Sequence, residues 1–251
     1  MPCEYCPVQK YKQYCPVARA TEVFGDRWTA LIVRELIAGS RRFNQIERGL
    51  PGISRSLLST RLRNLQAAGV VDRISRPSAQ SVEYHLTDAG RELRKVVEAL
   101  GAWGVRWAFA DPTPDELDAG LLVWKIHQRI NRELLPESRT VVEFDFTGPQ
   151  GRRVWLLLEP REVSVCVTPP GFDCDLIVRA DLLLFYRVWL GQVEWATAIG
   201  CGAVTVGGPS PLAKALPHWL MWSPMAVLVR ANEGSQRSAA ATTPGISDDT
   251  P

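Results

Sequence analysis

No stretch of the 251 residues approaches the ~18 consecutive apolar residues that a membrane span needs. The opening residues, MPCEYCPVQKYKQYCPV, show no charged start followed by an apolar run. Both absences predict a cytoplasmic protein with no membrane partner. Cysteine is scarce: of six, Cys3, Cys6 and Cys15 cluster while Cys166, Cys174 and Cys201 stand among apolar neighbours, which is not a disulfide scaffold. Zinc is not expected, because Cys3-x-x-Cys6 with Cys15 offers three ligands where a structural site takes four. Histidine is scarcer still, with three residues, and His127 and His218 lack a carboxylate or thiol constellation nearby in sequence. There is no HExxH and no GxSxG, and Gly200-Cys201-Gly202 lacks the third glycine and the preceding strand of a dinucleotide loop. These gaps argue against an enzyme and against a cofactor.

Net charge is also small, at +2, but the sum hides an asymmetry. Residues 1–111 carry 17 Lys and Arg against 11 Asp and Glu, whereas residues 112–251 carry 12 against 16. The first part is suited to a polyanion and the second is not. A chain of this length fits two ordinary domains. The expected division is a first domain over 1–111, an α+β domain over 112–230, and a disordered tail over 231–251 that is rich in Ser, Ala, Thr, Gly and Pro.

The first hundred residues punctuate themselves. Pro16 opens a helical pattern that Gly25 closes, and RWTALIVRELIAG follows with Trp28, Leu31, Ile32, Leu36 and Ile37 on one stripe. RFNQIERGLPG makes a third, shorter helix. A fourth starts at Ser54, placed to cap it, with Ile53 able to staple against Leu58. Leu58, Leu62 and Leu65 recur at helical spacing, and Gly69 ends the run. Its other face presents Arg55, Ser56, Ser59, Thr60 and Arg63, with Arg61 at the flank, and no Asp or Glu stands between Ser54 and Gln66. A solvated face in an all-α domain would favour Glu and Lys. The pattern then switches to two strands, VVDRIS and SVEYHLT, and a last helix capped by Thr87 or Asp88. Three helices, a polar-faced helix, a hairpin and a closing helix are the order of a winged helix-turn-helix, whose polar-faced helix enters the major groove.

The segments CPVARATEVFGDRWTALIVRELIAGSRRFNQIERGLPGISRSLLSTRLRNLQAAGVV and VEYHLTDAGRELRKVVEAL resemble the HxlR-type transcriptional regulators, a winged-helix family related to the MarR group. The resemblance covers about residues 14–108 and includes Gly25-Asp26-Arg27-Trp28, Gly52-Ile53-Ser54 and Tyr84-His85-Leu86-Thr87. It implies a homodimer on near-palindromic double-stranded operator DNA. It also implies an interface built by the first and last helices, here at Trp103 and Trp107. Two departures, Ser56 and the wing SAQSVEY, remove expected phosphate contacts and leave Arg55, Arg61, Arg63, Arg73 and Arg76 to supply them. Some relatives of this type sense oxidants at the corresponding Cys-Pro. Cys15 precedes Pro16 at the helix N-cap, where the dipole favours a thiolate, although an unreactive, partly buried cap fits equally.

In the second part, PDELDAGLLVWKIHQRINRELLP reads as one helix or two short ones. Strands RTVVEFDFT, RRVWLLLEP, EVSVCVTPPG and CDLIVRA follow in a mostly antiparallel sheet, then helices DLLLFYRVWLG and VEWATAIG, a strand GAVTVGG and a helix around PLAKALPHWL. From DCDLIVRADLLLFYRVWLG to PLAKALPHWL the chain resembles the sterol-carrier-protein type of lipid-binding domain, which implies a hydrophobic small-molecule ligand. Trp155, Phe185, Trp189, Trp195 and Trp219 are the candidate lining. The expected function is a dimeric transcriptional regulator with a ligand-sensing second domain. The alternative is an apolar-ligand carrier or interaction module that uses the winged helix only for dimerisation.

Overall fold

The computed structural model describes residues 11–76, 81–160 and 162–241, and the chain forms two compact units, Met1–Leu100 and Gly101–Pro251. Cys3, Cys6 and the wing tip at 77–80 lie outside the described residues. In the first unit, α1 (Pro16–Phe24), α2 (Thr29–Ile37), α3 (Phe43–Arg48) and α4 (Arg55–Ala67) precede the antiparallel pair β1 (Val71–Arg76) and β2 (Ser81–Leu86). The helix α5 (Asp88–Trp107) follows. This is the winged helix-turn-helix order. The hairpin gains a third backbone segment that its two-strand pattern does not announce: Arg42 bridges to Glu83, and the Tyr84 amide donates to the Arg41 carbonyl at 2.7 Å.

The core of this unit is aliphatic. Ile32, Val33 and Leu36 of α2 meet Ile46, Leu50, Ile53, and Leu58, Leu62 and Leu65 of α4, closed by Val70 and Val71. The stripes read from the sequence are therefore the faces that the helices bury. Thr87 is the cap of α5, its hydroxyl accepting from the Gly90 amide at 3.1 Å. Gly90 is needed there, since a Cβ would fall 2.2 Å from the Val70 carbonyl oxygen.

In the second unit, Asp118 caps α6 (Ala119–His127) by accepting from the Gly120 and Leu121 amides. The strands β3 (Thr140–Thr147), β4 (Arg153–Leu158), β5 (Val163–Cys166), β6 (Leu176–Asp181) and β7 (Val204–Gly207) form one sheet in the order β5-β4-β3-β6-β7. The sheet is mixed: β3 pairs with β6 in parallel, and the other neighbours are antiparallel. Between β6 and β7 run α7 (Leu182–Leu190), capped by Asp181, and α8 (Trp195–Gly200). The helices α9 (Ser210–Trp219) and α10 (Ala226–Ala241) complete the unit. α10 replaces the expected start of a tail at Ala231. Its Ala-rich sequence is low in complexity yet favours helix, and its first turns anchor Val229 with Leu190 and Val105.

Alternation sets the two sheet faces. Val142, Phe144, Phe146, Val154, Leu156, Leu158, Val163, Val165, Leu176 and Val178 share a core with α6, α7, α8 and α9. Glu143, Asp145, Arg153, Trp155 and Arg179 point to the opposite face. Among the described residues no helix is long and apolar enough to cross a membrane.

Candidate nucleic-acid interface

The buried leucines of α4 fix which residues face outward. Ser54 stands at the N-cap, its hydroxyl accepting from the Leu57 amide at 3.2 Å and lying 3.2 Å from the Ser56 hydroxyl. Ser54 is thus engaged in holding the helix start. Ser56 and Arg63 are exposed, Ser59 and Thr60 are half-buried, and Arg63 donates to the Thr60 hydroxyl at 3.2 Å. No carboxylate belongs to this helix.

Two arginines of the expected row are engaged by acids of neighbouring elements. Arg61 pairs with Asp26 in the turn between α1 and α2, and its side chain keeps only 19% of its exposure. Two residues after Asp26, Trp28 holds a left-handed backbone (φ 77°) at the start of α2, a conformation rare for a bulky residue. Arg55, at the first position of α4, pairs through Nη1 with Glu47 Oε2 at 2.5 Å and through Nη2 with Asn44 Oδ1 at 3.3 Å. Its guanidinium lies 4.9 Å from the centre of the Phe43 ring. The sequence named neither Asp26 nor Phe43, Asn44 and Glu47 as members of this surface. A carboxylate 8 residues from its partner, in a different helix, leaves no periodic signal.

In the hairpin, Arg73 is exposed on β1 opposite Tyr84, and Arg76 ends β1 opposite Ser81. Arg41 anchors the hairpin side of α2, donating to the Leu36 carbonyl at 2.6 Å and the Ser40 carbonyl at 3.1 Å. Burial lowers its pKa, partly offset by Glu83. Cys15 occupies the α1 N-cap with extended backbone and is half-buried, and its side chain makes no capping bond. On α5, Val96, Leu100, Trp103 and Trp107 form an exposed apolar stripe, the two tryptophans 60% and 65% exposed.

The aromatic candidates of the second unit do not form one site. Phe185 is fully buried, 5.7 Å from Phe144, 5.2 Å from Phe146 and 6.3 Å from Trp195, measured between ring centres. Trp219 is buried in the same core. Trp155 stands on the other face of the sheet, its indole donating to Glu143 Oε2 at 3.0 Å, so it shares no cavity with the rest. The Cys174 thiol also donates to Glu143, and burial and that carboxylate raise its pKa. His127 is structural: it stacks on Trp124 at 4.6 Å and its Nε2 lies 2.8 Å from the Val163 carbonyl. A cavity of about 410 Å³ lies beside α7 instead, walled by the apolar Phe109, Leu117, Leu121 and Leu182, by Tyr186 and Trp189, and by the charged Asp111, Glu116, Asp118 and Lys125, among others. Of the five candidates only Trp189 lines it. Burial, with Asp111 and Glu116 nearby, raises the pKa of Tyr186. Among the described residues no group of three or more His, Cys, Asp or Glu could hold a metal ion.

Residues 23–112 match the family described as HxlR-like helix-turn-helix. The uncharacterized HTH-type transcriptional regulator YvaP of Bacillus subtilis is 39% identical over 97 residues, which are 38% of this chain and 90% of that protein. The uncharacterized HTH-type transcriptional regulator Rv3095 of Mycobacterium tuberculosis is 48% identical over 89 residues, 35% of this chain and 56% of that protein. A solved structure described as the redox regulator HypR in its reduced form is 35% identical over 36% of this chain and 90% of that one, with a TM-score of 0.34.

Proposed function

The chain belongs to the HxlR-like helix-turn-helix family of transcriptional regulators, which are not enzymes, and on that premise we propose that it binds operator DNA as a homodimer through α4. The observation that carries this is the outward row of α4, where hydroxyls and arginines stand over a buried leucine row with no carboxylate in the helix. Arg55, Ser59, Thr60 and Arg63 read base edges, while Arg73 and Arg76 meet phosphates. Arg61, held by Asp26, sets the bearing of α4 and does not reach DNA itself. The exposed stripe of Val96, Leu100, Trp103 and Trp107 is the apolar surface that a partner subunit would cover. In such a dimer the two copies of α4 would stand about 34 Å apart, one turn of B-DNA.

The second unit senses a hydrophobic small molecule in this proposal. Two features support it: the succession of β6, an Asp-capped helix ending in Trp-Leu-Gly, a short helix and β7, and a cavity whose 410 Å³ suits a small ligand. The site shifts from the five aromatic residues named from sequence to the cavity bounded by Trp189 and Tyr186. A ligand there would act on DNA binding only through its differential affinity for two dimer states.

The test is fluorescence anisotropy over a salt series, with duplex DNA from immediately upstream of the gene and a scrambled duplex. Preference for the upstream duplex of about 10³-fold, with a steep salt slope, supports a sequence-specific regulator. Arg63→Ala and Arg55→Ala should each lose roughly 1–3 kcal/mol of specific binding. Equal, weak binding to every duplex enriched from a random library would reject the proposal and favour a ligand carrier.

A further inference from the structure

We infer that Phe43, Asn44 and Glu47 of α3 form a clamp that aims Arg55, making it a fixed base reader and not a mobile phosphate contact. The inference rests on the assignment of α4 to the groove. Three restraints converge on one guanidinium: Glu47 Oε2 at 2.5 Å, Asn44 Oδ1 at 3.3 Å and the Phe43 ring at 4.9 Å. All three come from α3, the helix that packs before the recognition helix, so the restraint belongs to the helix-turn-helix itself.

The stoichiometry of donors leaves the reading edge available. A guanidinium has five N–H donors, of which Glu47 and Asn44 take two, and bidentate recognition of a guanine edge takes two more. The Arg55 side chain is 66% exposed, so the remaining donors reach solvent. An unrestrained arginine would lose rotamer freedom on reaching a base, whereas a clamped one has lost it already. The charge works in the same direction. Glu47 compensates Arg55 locally, which weakens its attraction to phosphates on any sequence and leaves its hydrogen-bond geometry intact. The clamp therefore favours discrimination over raw affinity.

Glu47→Gln tests this, because it keeps the shape of the side chain and removes its charge, with unchanged chemical denaturation as the control for folding. The probes are a duplex enriched from a random-sequence library by the unaltered protein, its scrambled counterpart, and versions of the enriched duplex changed one base pair at a time. The operator-to-scrambled ratio should fall about tenfold, with the loss confined to the base pair at which Arg55→Ala also acts. The salt slope on the scrambled duplex should steepen by about one phosphate equivalent. Asn44→Asp, which keeps an acceptor, should retain the ratio. An unchanged or higher ratio in Glu47→Gln overturns the clamp, showing Glu47 to be idle or a competitor. If Arg55→Ala leaves the ratio unchanged while Arg63→Ala lowers it, the clamp has nothing to aim and falls, yet the groove assignment stands. If neither arginine matters, the groove assignment itself has failed.

Discussion

The two units bury different kinds of side chain. The hydrophobic cluster of the first is isoleucine, leucine and valine, with Phe24, Trp28 and Phe43 at its margin, whereas the second stacks Phe144, Phe146, Phe185, Trp124 and Trp219 behind one sheet. A small aliphatic core suffices to hold short helices in fixed orientation, and it leaves their polar faces outward. The aromatic core fills the space between sheet and helices with the very residues that a ligand would need to displace. Large aromatic side chains are thus a poor guide to a binding site when a sheet must be covered.

The largest expected effect tests that difference directly. Phe185→Ala should cost about 3–5 kcal/mol in chemical denaturation of the second unit, the cost of a cavity in a packed core. A loss below about 1 kcal/mol would mean that the ring borders open space, and the contrast between the units would collapse. Next, Glu143→Ala strands the buried Trp155 indole N–H and should cost about 1–3 kcal/mol. Trp155→Phe with Glu143 already removed should then cost less than it does alone, because the pair acts together. In the first unit Ser54→Ala removes one cap and should cost about 1 kcal/mol, read by the same denaturation. The smallest effect is one of rate. Burial and Glu143 hold the Cys174 thiol above its ordinary pKa, so near pH 8 less of it is thiolate, and a maleimide should modify it more slowly than the exposed Cys201. Equal rates would show that the outer face opens readily.

Helical stripes made the first unit legible, because one period governs both which residues are buried and which face out. Leu58, Leu62 and Leu65 announce the buried side of α4, and the caps Ser54, Asp118 and Asp181 lie where local chemistry puts them. What periodicity cannot convey is a partner distant in sequence. Arg61 and Arg55 belong to the polar face of α4, yet Asp26 and Glu47 decide how free each one is. The strand RVWLLL shows the same limit. Its residues are nearly all apolar, so alternation alone does not separate Trp155 from Val154 and Leu156, and only the register against Glu143 assigns its face. The parallel pairing of β3 with β6 was likewise hidden, since strands separated by two others in sequence carry no turn signal between them.

That parallel pair bears on how the chain is born. β3 takes β4 on one flank soon after both are made, but its other flank stays bare until Leu176–Asp181 has been translated. A nascent chain that has emerged as far as Cys166 but not yet to Leu176 would hold a three-stranded sheet with an open hydrogen-bonding edge, prone to pairing with another chain. The β1–β2 hairpin of the winged unit pairs strands that are neighbours in sequence and has no such dependence. Synthesis order therefore places an aggregation hazard in the later unit, in the interval between the emergence of β5 and that of β6.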